Sequence, residues 1–464
     1  MKEVKKIRKQ TNIKKDNFKS IPNAKFMVPL LLLTFFFVFS CTINDVAATQ
    51  ETSNNTIVPS NNLTTSTSGE GDSQTTDQSV SNTSNTNNSP NPLNSETNQS
   101  VKDPQIYNGG VPVARGTHPA GYIYPTILEA ITDALSGDTI MLEDGAIFPE
   151  YGLVIDKNLN FDVFNNGYAT IDGGNFGTIF IINNGVVVNL QNLILINGQG
   201  TLGGAIFNNG TLTVNNCTFT DNTAQDGGAI YNGGTITYTD ETLNSITVAQ
   251  NGGTLTVINS TFTNNTATGN GGAIYNGGTI NVTSSTLTSV TITQNGGSLD
   301  VTNSTFTDNT ALNGGAIYNG GTINMEGSST FTSVTITKNG GTLNLSNSTF
   351  TDNTATGNGG AINNDATINL DQSSTLTDST ITENGGTVTV TNGVFTGNAA
   401  ENGGAISNDA TFNVTNSSTL TRTIITRNGG TVTVLDSGII GNTATGNGGA
   451  ISNEIGRASC RERV

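Results

Sequence analysis

Hydrophobic and polar positions alternate along most of the chain after residue 120. Segments such as 279–283 (Thr-Ile-Asn-Val-Thr) and 342–345 (Thr-Leu-Asn-Leu) carry an apolar residue at every second position. This period of two is typical of short strands that bury one face and expose the other. Turn residues separate these segments at short intervals. The pattern therefore predicts an all-β protein built from many short strands.

A Gly-Gly-Ala-Ile quartet recurs with a nearly fixed period. After one short step of 24 residues, its copies are 43 to 45 residues apart. A fixed period of this length indicates a repeat architecture. The quartets begin at Gly203, Gly227, Gly271, Gly314, Gly359, Gly403 and Gly448.

A second marker is an Asn-Gly-Gly or Asn-Asp-Ala turn, whose copies are alternately 19 to 20 and 24 to 25 residues apart. We therefore predict that each long repeat forms two coils of unequal length. Such coils stack into a right-handed parallel β-helix solenoid. With roughly 13 to 15 coils at about 4.8 Å per strand, the rod would be about 60 to 70 Å long. The turns begin at Asn232, Asn251, Asn276, Asn295, Asn319, Asn339, Asn364, Asn384, Asn408 and Asn428.

The motif Phe-x-x-Asn precedes the quartet in five copies, and Ile439 replaces Phe in a sixth. We predict that the rings fill the core at one corner of alternate coils. The asparagine amides would satisfy backbone groups in internal turns, which is a structural role. The motif residues are Phe219, Asn222, Phe262, Asn265, Phe306, Asn309, Phe350, Asn353, Phe395 and Asn398.

An N-terminal helix is predicted over residues 125–135, where Ile127, Leu128, Ile131 and Leu135 share one helical face. A solenoid needs its open end covered, because a terminal coil exposes unpaired strand edges and apolar residues. We therefore expect this helix to cap the β-helix.

The chain divides into four predicted segments. Residues 1–48 combine a basic start with an apolar run, which predicts a signal peptide or N-terminal anchor and hence an extracellular or cell-surface location. Residues 49–104 are rich in Ser, Thr and Asn and predict a disordered stalk, followed by the β-helix at 105–453. Residues 454–464 break the repeat and resemble a translated sequencing adapter. We expect this segment to be an artefact that hides any C-terminal anchor.

Charge narrows the range of partners. From residue 105 to residue 454 there are 25 acidic and five basic residues, a difference of −20. Nucleic acid and anionic membranes are poor partners for such a surface. A membrane would be contacted only through an N-terminal anchor or a missing C-terminal one. No cofactor is predicted.

The coupling of Phe-x-x-Asn to Gly-Gly-Ala-Ile resembles the repeats of chlamydial polymorphic membrane proteins. Together with the segment 126–142 and the strands at 169–173 and 187–198, it also resembles adhesin-like right-handed β-helix proteins of methanogenic archaea. The resemblance implies a β-helical surface adhesin whose partners are glycans of a cell surface or wall, or the surface of a host or partner cell.

Catalysis is the main alternative, since right-handed β-helices also host polysaccharide lyases and glycoside hydrolases. A lyase needs clustered carboxylates and a basic residue, yet only two Lys or Arg occur between residues 116 and 421. Asp221, Asp308 and Asp352 recur in the repeat, whereas an enzyme normally breaks its repeat at the catalytic site. The sequence therefore predicts no enzyme activity, and the same aspartates could instead form calcium sites. A structural component of a cell-surface layer is the third interpretation.

Four aromatic residues follow the Ile of successive quartets. If the Ile points inward, these rings point outward. We expect them to form a solvent-facing platform, about 10 Å between neighbouring tyrosines, on which a polysaccharide could stack. They are Phe207, Tyr231, Tyr275 and Tyr318.

Overall fold

The structure is a computed structural model. The described residues are 106–108, 123–239, 244–283, 288–326, 330–331, 333–370, 375–414, 419–422, 424–453 and 458–460. The predicted signal peptide or anchor and the predicted stalk lie outside these residues, so their boundaries stay predictions.

The described chain forms a right-handed parallel β-helix, as the alternating pattern predicts. From residue 187 onward, each coil passes through four sheets, numbered here 1 to 4, and returns to sheet 1. All pairings are parallel except those of the first two strands, which pair antiparallel at the N-terminal edge of sheet 1.

Sheets 1 to 3 form three walls of the coil. Sheet 1 contains, in order across the sheet, Ile123–Tyr124, Ile106–Asn108, Asp138–Leu142, Leu159–Val163, Val187–Gln191, Thr211–Asn215, Thr254–Ile258, Ser298–Thr302, Thr342–Ser346, Thr387–Thr391 and Thr431–Leu435. Sheet 2 contains Ile147–Phe148, Ala169–Asp172, Leu193–Ile196, Thr218–Thr220, Thr261–Thr263, Thr305–Thr307, Thr349–Thr351, Val394–Thr396 and Gly438–Ile440. Sheet 3 contains Gln199–Leu202, Thr223–Asp226, Thr266–Ala267, Thr310–Ala311, Thr354–Ala355, Ala399–Ala400 and Thr443–Ala444.

Sheet 4 completes the coil. Beyond it, sheet 5 has a strand in each of the five long repeats, and sheet 6 has a described strand in the last three. Sheet 4 contains Leu153–Ile155, Phe180–Ile182, Ile206–Asn208, Ile230–Asn232, Ile274–Asn276, Ile317–Glu326, Ile362–Leu370, Ile406–Asn408 and Ile451–Asn453, with Thr235–Tyr238, Thr279–Thr283, Thr411–Val414 and Ala458–Cys460. Sheet 5 contains Ser245–Asn251, Ser289–Asn295, Ser333–Asn339, Thr380–Asn384 and Ile424–Asn428. Sheet 6 contains Thr330–Phe331, Thr375–Thr377 and Thr419–Thr421.

Each long repeat forms one coil, so the prediction of two unequal coils is wrong. Ile206 pairs with Ile230, and equivalent residues of these early coils are 24 positions apart. Ile230 pairs with Ile274 and Ile274 with Ile317, and from here the separation is 43 to 45. The predicted length of 60 to 70 Å is also wrong. The nine strands of sheet 2, at about 4.8 Å per strand, span only about 40 Å.

The additional residues of each long repeat form an excursion. It begins on strands that extend sheet 4 beyond the main coil, such as Thr279–Thr283, and returns through sheet 5 to sheet 1. Successive excursions stack on one another, and we call the stack the fin. It comprises the described residues of 235–251, 279–295, 322–339, 367–384 and 411–428. An asparagine turn stands at each end of an excursion. In the sequence these turns look like the boundaries of a separate coil, which explains the error.

The main coil and the fin have separate hydrophobic cores. Ile274, Leu255 and Phe262 are fully buried in the main core. Ile280 and Ile292 are fully buried in the core of the fin. Apolar residues at every second position of the strands therefore supply both cores.

The N-terminal helix spans Ile127–Asp133, within the predicted range. Thr126 caps it, because its side chain accepts a hydrogen bond from the Glu129 backbone N–H at 3.1 Å. Ile127 and Ile131 pack into the main core. Leu128 and Leu135 are 52% and 54% exposed, so the predicted four-residue apolar face is only half used. The short helix has room for a single buried turn.

Candidate functional site: the stacked side-chain rows

The five phenylalanines of the repeat form a continuous stack in the main core. They lie on sheet 2 of successive coils, not of alternate ones, and all are fully buried. Neighbouring ring centroids are 4.7 to 4.9 Å apart, with planes within 5° of parallel. Ile439 continues the row by pairing with Phe395. The stack leaves no ring accessible to a ligand.

The asparagines three residues later form a buried hydrogen-bonded row. Asn265 illustrates the contacts. Its Nδ2 donates to Phe219 O and to Asn309 Oδ1, both at 3.0 Å, and its backbone N–H donates to the same Oδ1 at 3.0 Å. The row contains Asn222, Asn265, Asn309, Asn353, Asn398 and Asn442. These amides satisfy the turn between sheets 2 and 3.

Two more asparagine rows run along the junction of main coil and fin. Asn276 Nδ2 donates to Asn319 Oδ1 at 2.8 Å, and to Gly297 O and Thr342 O at 3.1 Å. The first row is Asn208, Asn232, Asn276, Asn319, Asn364, Asn408 and Asn453. The second row is Asn251, Asn295, Asn339, Asn384 and Asn428. The sequence marks these residues as turns, but their burial between two cores was not predicted.

The recurring aspartates have a backbone explanation. Asp221, Asp308 and Asp352 have φ between 52° and 57°, the left-handed conformation. Asn264 shares it at the equivalent corner, and Gly397 occupies the next copy at φ 68°. Only Gly, Asn and Asp adopt this conformation readily. The corner therefore selects these three residue types without any need for a ligand.

The tyrosines do not form the predicted solvent-facing platform. Tyr231, Tyr275 and Tyr318 are only 3%, 5% and 6% exposed. The prediction that they form a solvent-facing surface for glycan stacking is therefore wrong. They are one coil apart, with centroids 4.6 and 5.1 Å from each other, not about 10 Å. Phe207 extends the row at 5.6 Å from Tyr231 and is half-buried. We call these four residues the tyrosine ladder.

The rings are outside the main core, as the alternation predicts, but they lie flat along sheet 4. A Cβ placed on Gly277 would come within 2.9 Å of the Tyr275 ring. The Tyr231 hydroxyl is hydrogen bonded to the Thr235 side chain at the start of the fin. Burial raises the pKa of Tyr231 to about 12. Stacking and the adjacent fin thus remove the rings from water.

The tyrosine ladder ends where Asn363 pairs with Tyr318. Asn363 is 1% exposed, and Ser407 of the next coil is 4% exposed. Asp365 lies two residues beyond Asn363, and the backbone N–H of Asp409 donates to Asn364 O at 2.9 Å. Burial raises the pKa of Asp365 to about 6, and the nearby Asp409 carboxylate adds to this increase. A polar cluster therefore replaces the aromatic row.

An exposed aromatic pair lies in the early coils, which have no fin. Tyr151 and Phe176 are 51% and 77% exposed, with ring centroids 5.8 Å apart. They occupy the turn between sheets 2 and 4 in successive coils. Sequence reasoning missed them because they lie upstream of the repeated quartets. The signal was their position in a turn, where an aromatic ring has no core to enter.

Within the described ranges, no three His, Cys, Asp or Glu side chains cluster in a way that could hold a metal ion. The same part of the chain contains no helix that is long and apolar enough to cross a membrane.

The repeat matches a known family of protein repeats. Four segments match the Chlamydia polymorphic membrane protein repeat: residues 216–233, 259–277, 303–320 and 347–365. Each begins just after a strand of sheet 1 and ends at sheet 4, so the fin lies outside all four matches. No curated protein and no solved structure matches the chain. The chain therefore carries four Chlamydia polymorphic membrane protein repeats, which indicate a surface-exposed repeat protein.

Proposed function

We propose that this protein is an exported, non-enzymatic surface protein, an adhesin or a wall-associated binding protein that displays a repetitive β-helical face. The observation that carries the proposal is that the motif residues of the matched repeat lie in the interior. Phe262, Asn265 and Ile274 are all buried, so the repeat supplies a scaffold and not a cleft. What remains for partners is the outer surface of the stacked coils.

That outer surface is polar and periodic. On sheet 2, Thr261 and Thr263 flank a buried ring, and the same pair recurs as Thr305 and Thr307 in the next coil. Equivalent hydroxyls thus repeat at the strand spacing of about 4.8 Å. A repetitive, uncharged face of this kind suits many weak contacts with an extended polymer such as a glycan.

The glycan contact is proposed at the exposed aromatic pair and not at the tyrosine ladder. Tyr151 and Phe176 present ring area to water, and such area is what a sugar face or a partner protein buries. Phe207 is the one member of the ladder that retains partial access, at the end nearest the early coils.

A binding experiment tests the proposal. The purified chain is applied to a glycan array and to intact cells, and compared with the double variant Tyr151→Ala/Phe176→Ala. Tyr168→Ala is the matched control, because Tyr168 is also exposed (43%) but stacks on no other ring in the described part of the chain. We expect the double variant alone to lose glycan signal. Binding that is equal in all three proteins would contradict the aromatic contact.

Two further measurements separate the other functions. Antibody labelling of non-permeabilised source cells should detect the protein at the surface. Absence of labelling on intact cells, with labelling after permeabilisation, would contradict surface display.

Release of reducing sugar or unsaturated product from polysaccharides would instead establish an enzyme. A labelled surface with no glycan or cell binding would favour a structural layer component.

A further inference from the structure

Two residues of the repeat change together where the tyrosine ladder ends. In three successive coils the sequence is Tyr-x-Gly, and in the next it is Asn363-x-Asp365. A Cβ on Gly320 would lie 2.0 Å from the Asp365 backbone oxygen and 2.7 Å from the Tyr318 ring, so the neighbouring strand and the ring together exclude a side chain there. In the next coil the ring is absent and Asp365 occupies the position equivalent to Gly320.

The side chains that replace the ring leave buried oxygen atoms without partners. Asn363 Oδ1 and Asp365 Oδ1 are buried, and neither has a hydrogen-bond partner among the residues that the structure describes. Asn363 and Asp365 are two residues apart on one strand, so both side chains point to the same face of sheet 4. An unsatisfied buried oxygen is costly, and such atoms are rare in folded proteins.

The next coil brings further oxygen atoms to the same face. Ser407 pairs with Asn363 and is buried. Asp409 follows one strand above Asp365, about 4.8 Å away along the stack. Carboxylates on adjacent strands repel each other, and a cation bound between them would remove that repulsion. Asp409 Oδ1 also accepts a hydrogen bond from the Ala410 backbone N–H at 2.6 Å. In the described part of the chain, Asp365 forms no salt bridge with Lys or Arg.

We propose that Asn363, Asp365, Ser407 and Asp409 form a binding site for a divalent cation of the calcium class. Carboxylate, amide and hydroxyl oxygens are the ligands that Ca²⁺ uses, with water completing its coordination. The site differs from the corner aspartates, whose residue types follow from backbone conformation. With two carboxylates, the affinity falls in the weak range of extracellular modules, about 10⁻⁴ to 10⁻³ M.

Terbium luminescence and thermal unfolding test the site in the purified full chain. Tb³⁺ is a luminescent substitute for Ca²⁺, and the Tyr318 ring in the preceding coil can sensitise it. The test variant is Asn363→Tyr/Asp365→Gly, which continues the tyrosine ladder by one coil and so should fold. The matched control is Asp300→Asn, which removes the same charge from an exposed position of sheet 1.

The wild type and the control should show sensitised Tb³⁺ emission that Ca²⁺ displaces. At a calcium concentration ten times the dissociation constant, their unfolding midpoint should rise by about 2 °C or more. The test variant should lose both effects while remaining folded by circular dichroism. No calcium-dependent shift in the wild type, which would mean a buried water only, would overturn the proposal. A shift that persists in the test variant would also overturn it.

Discussion

The side chain of Asn276 donates to Asn319 Oδ1 at 2.8 Å, although 43 residues separate them in the sequence. This contact joins two neighbouring coils at the junction of the main coil and the fin. The same Nδ2 also donates to Thr342 O, 66 residues away. One amide therefore connects sheet 4 of its own coil to sheet 1 of a later one. The junction depends on these rows because a second core begins on their other side.

Replacing Asn276 by Ala should lower stability substantially. The change leaves Asn232 Nδ2 without the Asn276 Oδ1 acceptor and Asn319 Oδ1 without the Asn276 Nδ2 donor, and it removes the side-chain hydrogen bonds to Gly297 O and Thr342 O. We expect a loss of about 3 kcal/mol, since each unsatisfied buried group costs about 1–3 kcal/mol. Urea unfolding measures it. Asn344→Ala, at an exposed position, should change stability by less than about 0.5 kcal/mol. Equal effects of the two variants would contradict a special role of the junction.

The tyrosine ladder should act on stability and not on glycan binding. Tyr275→Ala removes a ring stacked on two others and should cost about 3–5 kcal/mol, as large-to-small core changes do. Tyr275→Phe keeps the stack and should be much milder. Thermal unfolding of both variants provides the comparison. A Tyr275→Ala protein that kept its unfolding midpoint but lost glycan binding would restore the ladder as a ligand surface.

The corner at Asp308 should respond to backbone preference alone. Asp308→Gly should preserve stability, because glycine occupies the equivalent corner at 397 with φ 68°. Asp308→Ala should cost about 1–2 kcal/mol, since alanine is strained at a positive φ. Chemical denaturation separates the two variants. If Gly and Ala were equally damaging, and chelator had the same effect on the wild type, the carboxylate would have a ligand after all.

Cys217 should be unreactive in the folded protein. It is 1% exposed, and burial raises the pKa of its thiol from 9.0 to about 12. The folded pKa lies above the unfolded one, so its contribution to stability is complete below about pH 9 and is lost as the pH rises toward 12. Labelling with a thiol reagent in a Cys41→Ser/Cys460→Ser background should therefore be slow until urea unfolds the chain.

Cys217→Ser provides the control for this pH dependence. Serine occupies the same row in the next coils, where Ser260 Oγ accepts from the Cys217 backbone N–H and Ser304 Oγ accepts from that of Ser260. The variant should fold normally and lose less stability between pH 9 and pH 12. Rapid native labelling of Cys217 would show that the core opens locally.

Local patterns predicted the strands and their inward residues. Alternation placed Phe262 and Ile274 in the interior, and the Phe-x-x-Asn spacing marked Asn265 as an internal turn residue; both follow from backbone geometry that repeats over a few residues. The same reasoning failed for Tyr275. A residue that points away from one core is exposed only if nothing else covers it, and a single strand carries no information on its neighbours.

Three features followed from local sequence alone: the repeat, the period-two strands and the residue types allowed at left-handed corners. Each of them depends on one residue and its near neighbours. The packing of the coils was needed to show that each long repeat is one coil with a fin, that Asn276 lies between two cores, and that Asn363 and Asp365 lie beside Ser407 and Asp409 on one face. Those relationships join residues about 44 positions apart, and their register is fixed only when the coils stack.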